Sequence, residues 1–216
     1  MLDIRNIDCM EYMKTCKDNE FDLAIVDVPY TDNYDSMKQI SISNKGKAGD
    51  YHYNSLTNAK PNAEYWKELM RVSKKQIIWG GNYFTDVLPV SDNWVVWKKM
   101  DIKSNFKPFE LAWTSLDKSL FIDFLWAGMW QQDMKNKEKR IHPTQKPKQV
   151  YKALLEQYSK PTDKILDTHL GSGSIAIACH YFGCDLVACE IDEHYYKEAM
   201  KRIKNETAQV AISFNH

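Results

Sequence analysis

Short apolar runs alternate along this chain with longer segments whose apolar residues recur at helical spacing. Leu23 to Val26 is such a run, continuous and not alternating, as in a strand covered on both faces. Comparable runs sit in KQIIWGG, NWVVWKK, FELAWTS, KILD and DLVACEID, and LDIRNID near the start reads as a further short strand. Between them CMEYMKTC, the stretch from about Ala63 to Val72, KPKQVYKALLEQYSK, IAIACHYFG and EHYYKEAMKRIKN read as helices. Val150, Leu154, Leu155 and Tyr158 fall on one side of the helix that contains them. This alternation predicts an α/β fold with a mainly parallel sheet and helices on both faces. Ligands of such sheets bind at the carboxyl ends of the strands. Two strands end there in an acid, DLAIVD at Asp27 and KILD at Asp167. Between Thr31 and Lys60 the pattern dissolves into Asn, Ser, Asp and Gly, a stretch too long for a plain connection.

The length of 216 residues suits one domain with a full core. With 29 basic and 29 acidic side chains the formal charge is zero, which excludes a generally polybasic nucleic-acid coat and makes any nucleic-acid face local. The best candidate for that face is KNKEKRIHPTQKPK, residues 135–148, where six Lys or Arg stand against one Glu. Five cysteines without a CxxC spacing argue against a zinc site and against a disulfide framework, and no metal is expected. They read as core thiols of a reducing cytoplasm. The chain opens without a signal-peptide pattern and holds no apolar run near the ~20 residues of a membrane span, so a soluble cytoplasmic protein is expected.

ILDTHLGSGSIAIA puts Gly171 and Gly173 in a turn between strand and helix, with Glu190 at the end of the next strand. Glycines allow close backbone approach, and a carboxylate there can accept from ribose hydroxyls, so the turn suits an adenosine-bearing cofactor. GSGSIA also satisfies the GxGxxA dinucleotide pattern. The motif alone does not choose between a nicotinamide cofactor and S-adenosylmethionine. In dinucleotide folds the first glycine follows the strand almost at once; here Thr168, His169 and Leu170 intervene. That longer loop resembles the DPFxGSG turn of S-adenosylmethionine enzymes.

Taken with Asp27-Val28-Pro29-Tyr30, the turn gives the chain its resemblance to the amino-methyltransferases of adenine N6 and cytosine N4 in DNA, whose signature is (D/N/S)PP(Y/F). The tetrapeptide precedes the glycine turn, the order of their circularly permuted β group. HPTQKP (His142 to Pro147), GCDLVACEIDEHYYKEA and NIDCMEYM resemble further segments of that group, so the likeness runs from about residue 4 to 203. It implies a Rossmann-like methyltransferase fold in a single domain over 1–216, a target-recognition insertion at 31–60 and a basic segment at 135–148. It also implies catalysis by Asp27, Val28, Pro29 and Tyr30, and S-adenosylmethionine held by Asp8, Cys9, Lys146, Asp167, Thr168, His169, Gly171, Gly173 and Glu190. Three positions depart from the family pattern: Val28 stands for the first proline, Thr168-His169 for Pro-Phe, and Ile7 for a glycine.

The chemistry explains the tetrapeptide. An exocyclic amine is a poor nucleophile because its lone pair is conjugated into the ring. A carboxylate (Asp27) and a backbone carbonyl (Val28) accepting its hydrogens localise that pair, in contacts that strengthen in the transition state. Pro29 pushes residue 28 into an extended conformation that aims the carbonyl, and Tyr30 offers a ring face to the base. Duplex substrate then requires base flipping. Asp in place of Ser at position 27 favours adenine N6. The alternatives are cytosine N4, an RNA or protein amide, a catalytically inactive DNA-binding relative, and a nicotinamide oxidoreductase. The implied partner is double-stranded DNA, with Lys98, Lys99, Lys137, Lys139 and Arg140 on phosphates and Asn82 at the site; a homodimer and a cognate restriction enzyme are left open.

Overall fold

The computed structural model describes residues 1–30, 60–100, 107–127 and 129–208. The expected insertion at 31–60 lies, apart from Lys60, outside the described residues. In chain order the elements are β1 (Leu2–Arg5), α1 (Cys9–Thr15), β2 (Leu23–Asp27), α2 (Ala63–Val72), β3 (Gln76–Trp79), β4 (Trp94–Lys98), β5 (Phe109–Thr114) and β6 (Leu120–Asp123). They continue with β7 (Trp126–Ala127), β8 (Trp130–Gln131), α3 (Lys148–Tyr158), β9 (Lys164–Asp167), α4 (Ser174–Phe182), β10 (Asp185–Cys189) and α5 (Glu193–Ala208).

Eight of these strands form one sheet in the order β1-β10-β9-β2-β3-β5-β4-β6. Every neighbouring pair is parallel except the two that involve β5. The chain leaves β9 through α4 toward β10 on one side, and leaves β2 toward β3 on the other. The crevice beyond the ends of β9 and β2 is therefore the topological switch point, where open sheets of this kind hold their ligands. Ala24 is level with Leu166, so Asp27 reaches two residues further along the strand direction than Asp167.

Alternate side chains of β2 serve two cores. Leu23 and Ile25 pack with Ile77, Val150, Leu154 and Ile175 under α3 and α4. Ala24 and Val26 pack with Met13, Tyr65, Trp66 and Leu69 under α1 and α2. This two-sided burial is why LAIV reads as an unbroken apolar run. Asp27 continues the parity of Leu23 and Ile25, which aims it toward the layer of α3.

The caps follow ordinary chemistry. Asp8 accepts from Met10 N at 2.6 Å at the start of α1, and Asn62 from Tyr65 N at 2.9 Å at the start of α2. The apolar pattern does not predict β6 or the β7–β8 hairpin. β6 buries only Ile122 among its four residues, and two-residue strands are too short to show a period. No helix among the described residues is long and apolar enough to cross a membrane.

Candidate active site

Asp27 stands at the switch-point edge with its side chain 17% exposed, and Lys146 Nζ donates to its Oδ2 at 2.6 Å. The same ammonium lies 3.2 Å from Glu110 Oε2, and Lys99 Nζ donates to Glu110 Oε1 at 2.6 Å. Two carboxylates and two lysines thus form one nearly neutral cluster. Burial pushes the Asp27 carboxyl above its ordinary range, against the pull of Lys146. Burial acts the same way on Glu110, but Lys146 and Lys99 outweigh it and hold that group at about 2. Lys146 loses solvation yet is raised by Asp27 and Glu110, so it stays charged. HPTQKP positions it: Gln145 Oε1 accepts from Ile141 N at 3.0 Å, and Gln145 O from Trp126 Nε1 at 3.0 Å.

Val28 is buried, and among the described residues no hydrogen bond is made to its carbonyl. Pro29 and Tyr30 are half-buried. The Tyr30 ring lies parallel to Tyr83, centroids 4.7 Å apart, so one face of the expected base platform is already covered by an aromatic ring. Lys107 Nζ donates to Tyr83 Oη at 2.7 Å. Behind this pair runs the Gly80-Gly81 turn after β3. Asn82 is exposed within that turn.

The glycine turn lies across the crevice. Gly171 has φ +54° and Gly173 φ +73°, and a Cβ on Gly173 would stand 2.9 Å from Ile203 Cδ1. Glu190 is buried and ties the turn down, accepting from Gly171 N at 2.8 Å and Asp192 N at 2.9 Å. The first turn N–H that a pyrophosphate would use is therefore taken by a carboxylate, which fits an adenosine cofactor without phosphates and disfavours the nicotinamide reading. Thr168 and His169, which depart from Pro-Phe, are satisfied locally. Tyr65 Oη and His169 Nδ1 lie 2.7 and 2.8 Å from Thr168 Oγ1. Asp167 Oδ1 accepts from His169 N at 3.0 Å, and burial raises its carboxyl to about 8. Burial lowers His169 to about 4 and raises the half-buried Cys9 thiol to about 12. Asp8 and Cys9 enter at the β1–α1 junction, and Asn6 Nδ2 donates to Glu190 O at 2.7 Å, joining that junction to the turn. These residues fit an adenosine-bearing ligand: a left-handed glycine backbone for close approach and carboxylates for hydroxyl groups.

Sequence reading places Lys146 with the cofactor; its ammonium is on Asp27 and Glu110. That reading misses Glu110, Tyr65 and Gly80. Glu110 and Tyr65 carry no local signal, whereas the double glycine after β3 is a signal for Gly80. Among the candidate phosphate-binding residues, Lys137 and Lys139 are exposed. Lys98 pairs with Asp123 at 2.9 Å, Lys99 belongs to the acid cluster, and Arg140 lies 4.4 Å over Trp126. Glu138, the acid within the basic run, is paired with Arg202 at 2.6 Å in a buried contact, and Arg202 also donates to Ser172 O in the glycine turn.

A family model for N6 and N4 methyltransferases, described as DNA methylase, matches residues 10–201. The type II methyltransferase M.HinfI of Haemophilus influenzae is 25% identical over an alignment taking in 91% of this chain and 67% of that protein. M.HpaI of Haemophilus parainfluenzae is 31% identical over 71 residues, 33% of this chain and 23% of that one, so the chain matches under a quarter of its length. Among solved structures, the M1.HpyAVI–SAM complex superposes with a TM-score of 0.60 at 19% identity, covering 94% of this chain and 100% of that one. The cytosine-N4-specific PvuII DNA methyltransferase superposes at 0.59 with 9% identity, covering 97% and 92%. These likenesses carry the fold. The match over residues 10–201, together with an acid at the end of β2 and a glycine turn after β9, leads to one assignment: the chain belongs to the N6/N4 DNA methylase family.

Proposed function

We propose that this chain methylates N6 of adenine in double-stranded DNA, with S-adenosylmethionine as methyl donor. The observation that carries the proposal is Asp27 at the switch point: Oδ2 is held by Lys146, while Oδ1 accepts no hydrogen bond among the described residues. The next residue offers a carbonyl in the same condition. Two acceptors side by side match the two hydrogens of an exocyclic amine.

The cofactor supplies an electrophilic methyl on sulfur when bound. Glu190 would hold its hydroxyl-bearing end, Asp8 and Cys9 would approach its adenine, and the Gly171–Gly173 backbone would let it lie close to the sheet. Asp27 and the Val28 carbonyl orient the amine, and positioning of this kind accounts for a large part of the rate. Asp27 acts chiefly as an acceptor, because the amine proton becomes acidic only as charge develops on nitrogen. The Tyr30–Tyr83 pair supplies the stacking surface for a base taken out of the duplex, worth ~1–3 kcal/mol. Lys137 and Lys139 meet phosphates.

The test is transfer of labelled methyl from S-adenosylmethionine to duplexes whose labelled nucleosides are separated after hydrolysis. Label in N6-methyladenine supports the proposal. Label in N4-methylcytosine alone replaces it with the cytosine reaction, which the same two acceptors could serve.

A further inference from the structure

Lys146 is a deeply enclosed cation at the site, with a side chain 3% exposed. An ammonium has three protons to place, and here its surroundings are Asp27 Oδ2 at 2.6 Å, Glu110 Oε2 at 3.2 Å and the face of Trp79, 5.0 Å from the ring centroid. These neighbours come from separate strands, β2, β5 and β3, while Lys146 arrives on the segment before α3. Nothing local in the sequence demands this meeting. Leaving a charge unpaired in such a place is costly, so the cluster is built to be complete: Lys99 on the far oxygen of Glu110 brings it to two charges of each sign.

We infer that Lys146 and Glu110 are positioning residues for methyl transfer: Glu110 and Trp79 fix the ammonium, and the ammonium fixes Asp27 by one oxygen, leaving the other to accept from the substrate amine. The inference rests on the reading of Asp27 given above. A carboxylate alone at this depth would take up a proton and become a donor, or would rotate. Held by one oxygen to a cation it keeps one orientation, and the cation pulls its pKa down against burial. A cation held by Asp27 alone would draw charge from it and weaken it as an acceptor, and Glu110 prevents this by sharing the ammonium. The charged and titratable groups acting on Asp27 and Lys146 are Glu110 on β5, Lys99 just after β4, Tyr30 after β2, His142 on the segment before α3, Tyr151 on α3 and Asp167 at the end of β9.

Two substitutions should move Asp27 in opposite directions. Lys146→Met removes the cation and should raise the Asp27 pKa, whereas Glu110→Gln leaves the cation wholly to Asp27 and should lower it. Carbon-13 NMR titration of aspartate carboxylates, with Asp27→Asn identifying the signal, reads this without cofactor or DNA. In turnover, the acid limb of kcat/KM should follow the same two directions, and kcat should fall by ~10-fold or more in both. Lys146→Arg should restore the limb. S-adenosylmethionine affinity, by calorimetry, should stay within about threefold in all variants. A merely structural role would shift thermal unfolding and the Asp27 titration while leaving kcat in place, and that result would overturn the inference. So would shifts in one common direction, or a large loss of cofactor affinity with kcat retained, which would return Lys146 to the cofactor. If Lys146→Met does not fold, Lys146→Arg and Glu110→Gln carry the test. A wild-type protein that methylates no DNA, yet shows the opposed titration shifts, would sink the proposed reaction and leave the charge arrangement standing.

Discussion

A Cβ on Gly80 would stand 2.5 Å from Cδ1 of Tyr30, at a residue whose own φ is +70°. The aromatic of the DVPY tetrapeptide thus rests on a backbone that only glycine provides at no cost. Gly80→Ala meets both penalties, ~1–2 kcal/mol for the left-handed conformation and a displaced ring besides. Denaturant unfolding should show a loss of at least ~1 kcal/mol. Steady-state kinetics should show a raised KM for DNA with cofactor affinity kept; an unchanged KM would mean the Tyr30 ring does not bear on the base.

Glu190 uses both carboxylate oxygens on backbone N–H groups, those of Gly171 and Asp192. Glu190→Gln turns one acceptor into a donor facing a donor, and removes the charge offered to hydroxyl groups. Calorimetry should find S-adenosylmethionine bound more weakly by ~1.5–3 kcal/mol. Unaltered binding would move the cofactor acid elsewhere.

Stability should depend on pH through two buried imidazoles. Burial lowers His142 and His169 from 6.5 to about 4, so between those values the unfolded chain binds protons that the folded chain refuses. The contribution of these two groups is therefore full above 6.5 and is lost as pH falls toward 4, by ~1.4 kcal/mol per pH unit for each proton. Asp167, raised to about 8, works the other way: its folded form keeps a proton that the unfolded form has shed, which costs stability as pH rises from the ordinary carboxylate range toward 8. Urea melts from pH 4.5 to 6 should show a pH slope that His142→Gln reduces by up to one proton. A slope unchanged by that substitution would remove His142 from the account.

Lys135, Lys137 and Lys139 are exposed on one short segment, whereas Arg140 is stacked and Glu138 is buried against Arg202. Replacing the three lysines with Gln should weaken binding to all duplexes alike and reduce the salt slope by up to about 0.9 for each phosphate that a lysine neutralises. The methylated sequence should not change. Fluorescence anisotropy across a salt series, with methylation mapping, checks both; an unaltered slope would place the phosphate-binding groups elsewhere.

Much of this architecture is legible in the sequence because its signals are local. β2, β9 and β10 are buried on both faces and therefore read as apolar runs, and the glycine turn and DVPY are contiguous motifs. β6 is not legible, since a four-residue strand with one buried side chain has no readable period. HPTQKP marks Lys146 as a residue with a task, but only the fold says on whom it acts. Glu110 lies beyond reach for a sharper reason. Acids at strand ends are the ones that a parallel sheet makes conspicuous, and Glu110 lies near the beginning of β5, the strand that runs against the others.

That reversal makes the charge cluster a matter of folding fidelity. Side chains of a strand alternate between faces, so sliding β5 by one residue against β3 and β4 would turn Glu110 toward α1 and α2 and bring Phe109 or Leu111 to Lys146. Such a chain could keep its sheet while stranding a lysine among apolar groups. Two features guard against this error: Gly80 N donates to Leu111 O at 2.9 Å, and Gly81 admits Trp113 so closely that a Cβ there would be 2.3 Å from that of Trp113. The double glycine after β3 therefore acts as a gauge that accepts one alignment of β5, and with it one acid opposite Lys146.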